Sequence, residues 1–364
     1  MASIKKRPDG RWRARYRDHA GKEHAKHFSR RVDADRWLDG IRGKLVDGTY
    51  VDPAAGRRTF GDYAKEWQAA QVHRPTTRVQ VDSHLRNNVL PFFEDRPLSS
   101  VRHSEIQGWV KGRAEVLAPA TVEVVFRYVV AIFRAAVEDR LIAVSPCRGV
   151  KLPKVERRRV EPLATEQVLA MAEAIPARYR ALVWTAAGTG LRQGELFGLT
   201  LPHVDFLRRS LRVEQQLVLL AGAPPYLAPP KTEASRRTVP LPAVVLEALA
   251  RHLEQFPTGP DELVFTNERG EAIRRNHWSD VWRPAAEAAE MPAGTTMHDL
   301  RHYYASLLIR HGESVKVVQS RLGHASAAET LDTYSHMWPD NEDRTRAAVD
   351  AVLGNLNATE RKLG

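Results

Sequence analysis

The chain has a single cysteine, Cys147, among 364 residues, so it cannot build an internal disulfide framework or a cysteine-rich zinc site, and a reducing compartment suits it. No apolar stretch follows its basic first residues, MASIKKRPDGRWRARYRD, so it does not read as a secretory signal. Long hydrophobic runs are missing as well. The most apolar helix candidate, Thr121 to Val137, is interrupted by Glu123, Arg127 and Arg134, charges that a bilayer span tolerates only at high cost. No internal repeat, low-complexity tract or Gly-x-x-x-x-Gly-Lys phosphate loop occurs. Acidic residues are the minority: 55 Lys+Arg stand against 44 Asp+Glu, a net charge of +11. With a pI near 9.9, this points to a polyanionic partner, nucleic acid ahead of an acidic membrane surface.

What is present describes a globular chain: 43% hydrophobic and 27% charged residues, in a length that suits two or three domains. Residues 1 to about 55 contain two short alternating runs, Trp12–Arg17 and His24–Phe28, around a turn at Asp18–Gly21, which predicts a strand, turn and strand. Val32, Trp37, Leu38, Ile41 and Leu45 recur at helical spacing between Arg31 and Val46, predicting a helix on that sheet. Residues 1–50 carry 14 Lys+Arg against 7 Asp+Glu, a net +7. Arg11, Arg13, Arg15 and Arg17 alternate, so they project from one strand face, as a groove or phosphate rail of DNA requires.

After a joint at Asp52–Arg58, helix patterns run through Phe60–Ala70, Thr76–Leu90, His103–Val116 and Ala118–Leu141, predicting a four-helix domain. A second joint, Lys151–Arg159, has Lys or Arg at five of nine positions, among them Lys151, Lys154 and Arg157, and reads as an extended tether suited to lying along DNA. Beyond it comes a mixed region. Helices are expected at Thr165–Ala174, Arg178–Ala187, Gln193–Leu199, Val244–Gln255, Asn276–Ala289, Asp299–His311, Val315–Leu322 and Asp340–Leu356; strands at Leu211–Leu219, Tyr226–Pro229 and Arg237–Leu241. The fold class is therefore multidomain and mainly α, with a small sheet-plus-helix N-terminal domain, a four-helix domain and a mixed α+β domain.

Chemistry concentrates in four stretches of the last region: Thr189–Leu196, Lys231–Arg237, His298–His302, and Leu322-Gly323-His324 with Tyr334 ten residues further on. Thr296-Met297-His298-Asp299 fits a capping box, which sets His298 in a first helical turn, where free N–H groups and the helix dipole attract an anion. Arg301 is one turn further on. Arg192 follows a flexible Thr189-Gly190 turn with Glu195 three residues beyond. Two guanidiniums from separate segments suit the non-bridging oxygens of one phosphodiester. His298-x-x-x-His302 also has the spacing of a zinc helix, but Asp299 stands where the metalloprotease pattern has Glu, and no metal is expected.

In this order the stretches resemble the tyrosine recombinase (phage integrase) family, by specific motifs over about Glu161 to Trp338 and by size and order upstream. Gly190–Leu196 matches the first arginine box and His298–His302 the second; Leu322-Gly323-His324 and Thr333-Tyr334-Ser335-His336 complete the set. The resemblance implies that Tyr334 attacks a scissile phosphate to give a 3′-phosphotyrosyl bond and a free 5′-hydroxyl. Arg192 and Arg301 would clamp the phosphate, Lys231 would protonate the leaving oxygen, His298 would assist proton transfer at Tyr334, His324 would donate to the phosphate, and Glu195 would orient its neighbours. No metal, ATP or other cofactor is implied.

The resemblance further implies an arm-type DNA-binding domain at 1–55, a helical core-binding (SAM-like) domain at 58–150 and a catalytic domain at 160–356 with a C-terminal docking helix. The partners would be double-stranded DNA at core and arm sites, three further protomers in a homo-tetramer, a directionality factor and a DNA-bending protein, with no membrane. The setting would be the bacterial cytoplasm, on the nucleoid when DNA is bound. Two other readings share features with this one: a type IB topoisomerase on the same constellation, and a DNA-binding architectural or regulatory protein that has lost catalysis.

Overall fold

The computed structural model describes residues 2–19, 21–52, 54–156, 159–338 and 342–354, and the chain divides into two units, Met1–Glu156 and Arg157–Gly364. The first unit opens with an antiparallel sheet of β1 (Ser3–Lys6), β2 (Trp12–Arg17) and β3 (Glu23–Phe28), in that order. Sequence alone predicts two of these strands. The first, Ser-Ile-Lys-Lys, has no alternation to betray it and exists through its pairing, Ser3 opposite Arg15 to Lys6 opposite Trp12. Ala14 and Tyr16 of β2 are buried with Ala34 and Leu38 of α1 (Arg31–Val46) and with Tyr50. The helix holds the bounds that its apolar spacing predicts.

A separate core is formed by α2 (Phe60–Ala70), α3 (Pro75–His84), α4 (Leu90–Phe93), α5 (His103–Ala114) and α6 (Pro119–Glu138). The single helix expected over Thr76–Leu90 is divided by a π-type turn at Leu85–Val89. Pro91 is the cause: its ring conflicts with the carbonyl four residues back, and the widened turn relieves that clash. Helix α6 buries Val122, Val125, Phe126, Val129, Ile132, Phe133 and Ala136, a stripe at three- and four-residue steps. The tether does not begin freely. Gln107 of α5 accepts from the Lys151 amide at 2.9 Å and donates to its carbonyl at 3.0 Å, and Leu152 packs on the helical core. Lys151 and Lys154 are exposed, while Arg157 lies outside the described residues.

The second unit contains α7 (Thr165–Ala174), α8 (Ala177–Thr189), α9 (Gln193–Phe197), β4 (Val204–Asp205), β5 (Ser210–Val213), β6 (Gln216–Val218), β7 (Tyr226–Ala228), β8 (Arg237–Pro240), α10 (Ala243–Gln255), α11 (Arg275–Ala288), α12 (Met297–Arg310), α13 (Val315–Leu322), α14 (Ala327–Tyr334) and α15 (Glu342–Val349). The strands form a sheet in the order β4-β5-β8 and a hairpin β6-β7. The single strand expected over Leu211–Leu219 is thus two strands in different sheets. Between them the Gln215 side chain donates to Gly198 O and Thr200 Oγ1. Helix α14 was not expected at all, and α15 gives way to a π-type turn at Asp350–Gly354.

Helix α12 runs through the core. Leu300, Tyr303, Tyr304, Ala305 and Ile309 are buried on it, and so is Arg301. Leu307 and Leu308 beside them are half buried. Burial of Leu300 and Ile309 alone stabilises the unit by about 2 kcal/mol each. Among the described residues no helix is long and apolar enough to cross a membrane.

Candidate active site

Two left-handed glycines build the frame. Helix α8 ends at Gly190, φ +63°, and α13 ends at Gly323, φ +66°. Neither could carry a side chain: an added Cβ would lie 2.4 Å from Tyr304 Cδ1 at Gly190 and 2.9 Å from Arg237 Nη1 at Gly323. The chain reversals present carbonyls inward, and the arginines bind to these. Arg301 donates from Nη1 to Gly190 O at 2.6 Å and from Nη2 to Leu322 O at 2.7 Å. Arg192 donates from Nη2 to Gly323 O at 3.1 Å. The two arginines expected to share a phosphate are therefore held by adjacent peptide groups, Leu322 and Gly323.

Glu195 completes the frame. It accepts from the Arg192 amide at 2.9 Å and from Arg192 Nη1 at 3.0 Å, closing the first turn of α9. It also takes a bidentate fork from Arg237, at 3.1 and 2.8 Å. Arg237 in turn donates from Nε to Arg321 O at 2.7 Å. Burial alone would raise the Glu195 pKa, but the Arg237 hydrogen bonds and the two positive charges outweigh it, and the net shift is downward. Arg237, with only 5% of its side chain exposed, was not singled out from the sequence, because an arginine heading a short strand usually faces solvent.

Arg301 is 2% exposed. Burial, then Arg192 and Arg237, lower its pKa to about 9, so it stays cationic at neutral pH. Arg301 is thus buried on α12, and the two carbonyls stabilise its charge there.

Tyr334 ends α14 and is 1% exposed. Burial pushes its hydroxyl pKa up to about 12 against the opposing pull of the Arg301 charge. The hydroxyl lies 2.7 Å from Nδ1 of His302. His298, expected to assist proton transfer at Tyr334, stands one helical turn before His302 on α12. The capping box forms as expected, with the Thr296 hydroxyl accepting from the His298 amide and Asp299 accepting from the Thr296 amide. Among the described residues, the imidazole hydrogen-bonded to the Tyr334 hydroxyl is that of His302, and His298 meets the His302 ring edge-on at 4.7 Å. His298 remains exposed; partial desolvation and then Arg301 lower its pKa. Burial, His298 and Arg301 lower that of His302 to about 4. His324 is 7% exposed, bonds through Nδ1 to Thr330 Oγ1 at 2.8 Å and stacks parallel to Tyr334 at 6.4 Å. Burial and the three arginines lower its pKa to about 3, so all three imidazoles are neutral at pH 7.

Lys231 lies exposed between β7 and β8. Its loop reaches the frame through Ser235, whose hydroxyl accepts from Arg192 Nη1 at 3.4 Å and bonds to Thr232 at 2.9 Å. In the first unit, Arg13, Arg15 and Arg17 share one face of β2 as expected, with Arg11 just before the strand. Glu23 sits among all three, at 3.5 to 3.9 Å. On the other face, where His24 stacks on Tyr16, Asp18, His24 and Asp52 gather. The His24 ring stands between the carboxylates, Nε2 on Asp18 and Nδ1 towards Asp52, and Lys22 holds Asp52 at 2.8 Å. One potential ligand atom from each of Asp18, His24 and Asp52 lies within 4.8 Å of the others.

The family comparisons agree along the chain. The phage integrase family matches residues 158–340, the phage integrase N-terminal domain residues 2–47, and the phage integrase N-terminal SAM-like domain residues 59–112. A prophage phiRv2 integrase of Mycobacterium tuberculosis is 28% identical over 361 residues, 96% of this chain and 95% of its own length. A XerC-like tyrosine recombinase of Caldanaerobacter subterraneus is 29% identical, with 84% of each chain covered. Among solved structures, the Tn1549 transposon integrase in complex with transposon right end DNA superposes with a TM-score of 0.70 at 22% identity, over 81% of this chain and 100% of that one. A lambda integrase dimer bound to a core site gives 0.62 at 19% identity, over 93% and 95%. These two likenesses establish the fold.

Proposed function

The chain belongs to the phage integrase family and is a site-specific tyrosine recombinase, and from that premise we propose that Tyr334 is its nucleophile and that Arg192 and Arg301 clamp the scissile phosphate. The observation that carries this reading is the pair of guanidiniums fixed on the neighbouring carbonyls of Leu322 and Gly323, with Leu322 packed in the same buried cluster as Tyr334. Phosphoryl transfer is largely a matter of positioning and charge. Guanidiniums that are already held need no reorganisation when negative charge develops on the phosphorane oxygens, and one such donor is worth about 3 kcal/mol.

Tyr334 attacks phosphorus, the bond to the 5′ oxygen breaks, and Lys231 protonates that leaving oxygen. His298 and His324 donate hydrogen bonds to the phosphate; the place of His298 in the first turn of α12 suits an anion. Glu195 and Arg237 hold Arg192 in place. Fixed cations supply the charge that a metal supplies elsewhere, and one phosphodiester is exchanged for another of similar energy, so the reaction runs without metal or ATP.

Residues 1–55 form an arm-type DNA-binding domain with Arg11, Arg13, Arg15 and Arg17 on the phosphates. Residues 58–150 form the core-binding domain, and 160–356 the catalytic domain. Lys151, Lys154 and Arg157 follow the backbone of the same double-stranded DNA. Four protomers assemble on the DNA, and the exposed Val349, Val352 and Leu353 around the end of α15 support docking on a neighbour. A directionality factor and a DNA-bending protein act with them, in the bacterial cytoplasm.

A covalent-trapping assay tests this reading: a nicked suicide duplex from the DNA flanking the gene should give an SDS-resistant adduct, mapped by mass to Tyr334. Tyr334→Phe should bind as tightly and give no adduct. A surviving adduct would move the nucleophile elsewhere, and binding without any wild-type adduct would leave a DNA-binding protein. Relaxation of any supercoiled plasmid without recombinants would favour a topoisomerase.

A further inference from the structure

The hydrogen bond between Tyr334 and His302 joins the nucleophile to a group that the resemblance left without a role. We propose that His302 is a catalytic residue, the base that holds the Tyr334 hydroxyl and receives its proton as the oxygen bonds to phosphorus. This rests on Tyr334 being the nucleophile.

Geometry separates His302 from the other two imidazoles. Its Nδ1 is 2.7 Å from the phenol oxygen, within the range of a strong hydrogen bond, and its ring is tilted 67° to that of Tyr334, which brings a ring nitrogen edge-on to the hydroxyl. The His324 ring lies parallel to that of Tyr334 with centroids 6.4 Å apart, and its Nδ1 is engaged by Thr330 rather than by the phenol oxygen. His298 meets His302 edge-on. His302 is four residues after His298 on α12, which places the two on one helix face, and that face carries both the phosphate donor and the base.

The step balances without any further reagent. Tyr334 Oη forms a bond to phosphorus and the P–O5′ bond breaks; no atom is oxidised or reduced. The phenol proton passes to Nδ1 of His302, which becomes imidazolium, and the 5′ oxygen takes a proton from Lys231. Rejoining reverses the transfers: the incoming 5′-hydroxyl attacks, and His302 returns its proton to the departing tyrosine. In the resting protein the phenol is the weaker acid and keeps its proton. Bond formation to phosphorus acidifies the oxygen, and the neutral imidazole beside it is already placed to accept. His298, Asp299, Arg301 and Tyr334 are the titratable groups around that imidazole.

The test uses full-length chains, a suicide duplex and its counterpart with sulfur in place of the scissile 5′ oxygen, a leaving group that needs no protonation. His302→Asn keeps an acceptor for the phenol but cannot take up its proton, and His302→Leu can do neither. Both should bind the duplex as wild type does and lose about 100-fold or more in adduct formation, and sulfur should not restore them; it should restore Lys231→Ala. Near-wild-type rates in His302→Asn would reduce His302 to a support, and sulfur rescue of either variant would place the defect on the leaving group; each result overturns the proposal. Nitrogen-15 spectra of histidine-labelled wild type give a check that needs no active variant: Nδ1 of His302 should be unprotonated in the free protein, and a protonated Nδ1 overturns the assignment. If wild type forms its adduct at another residue, it is the nucleophile assignment that fails, which is a separate result.

Discussion

In the N-terminal sheet, Arg13, Arg15 and Arg17 stand on an open face around the single carboxylate of Glu23, at 3.5 to 3.9 Å. In the second unit, Arg237 and Arg301 are buried and direct their N–H groups at fixed acceptors between 2.6 and 3.1 Å. The first group works by charge, is screened by salt and tolerates loose geometry. The second works by position, and its charges are bearable in the interior only because every neighbour is in place. One residue type thus provides a steering surface in one region and a rigid receptor in the other.

Arg301→Ala should break the receptor outright. Activity should fall by about 100-fold or more, and the orphaned carbonyls of Gly190 and Leu322 should cost about 3 kcal/mol, read from adduct yield and urea unfolding. Arg301→Lys should not rescue it, since an ammonium cannot span both carbonyls and a phosphate; wild-type behaviour in either variant would erase the distinction. Arg237→Ala leaves the Glu195 carboxylate buried without its fork and should cost about 3–5 kcal/mol. Adding Glu195→Gln should recover part of that loss, and simple additivity in the double-mutant cycle would show that the pair is not coupled.

Acid should act on the second unit in a predictable direction. His302 titrates near 4 and His324 near 3 in the folded chain, below the ~6.5 of an unfolded histidine. Between these values the unfolded chain binds more protons, so stability declines as pH falls from about 6.5 and the loss is complete below the folded values. For His302 this amounts to on the order of 3 kcal/mol, and the drop in urea midpoint between pH 7 and pH 4.5 should be visibly smaller in His302→Asn. An equal drop would place the acid sensitivity elsewhere. The smallest effect belongs to the open face. Arg15→Gln should change stability by less than about 0.5 kcal/mol, yet flatten the salt dependence of DNA binding by about one unit of slope; an unchanged slope would mean that this face does not meet phosphate.

Much of this contrast was legible in the sequence. Alternating arginines, the capping box at Thr296 and the apolar stripe of α6 each follow from local periodicity, and the structure has all three. The misses share a physical cause, dependence on distant partners. Strand β1 forms because β2 offers it an edge, and Arg237 is buried because Glu195 and the Arg321 carbonyl await it. Nothing within either segment records those partners. Helix α14 is different: Ser326 and Glu329 have the spacing of a helix start, and Ser326 does accept from the Glu329 amide, so its beginning was readable. His302 was noticed only for its zinc-like spacing, because a hydrogen bond to a tyrosine 32 positions away leaves no local trace.

The arginine pocket is lined by peptide oxygens of Gly190, Leu322 and Gly323, atoms that every amino acid possesses. Systematic alanine replacement would leave those oxygens untouched and so report little from the scaffold, except at the two glycines, where even a methyl group displaces the curve of the chain. Tuning of the pocket over generations must therefore proceed through the bends that aim these oxygens rather than through the identity of the residues that carry them.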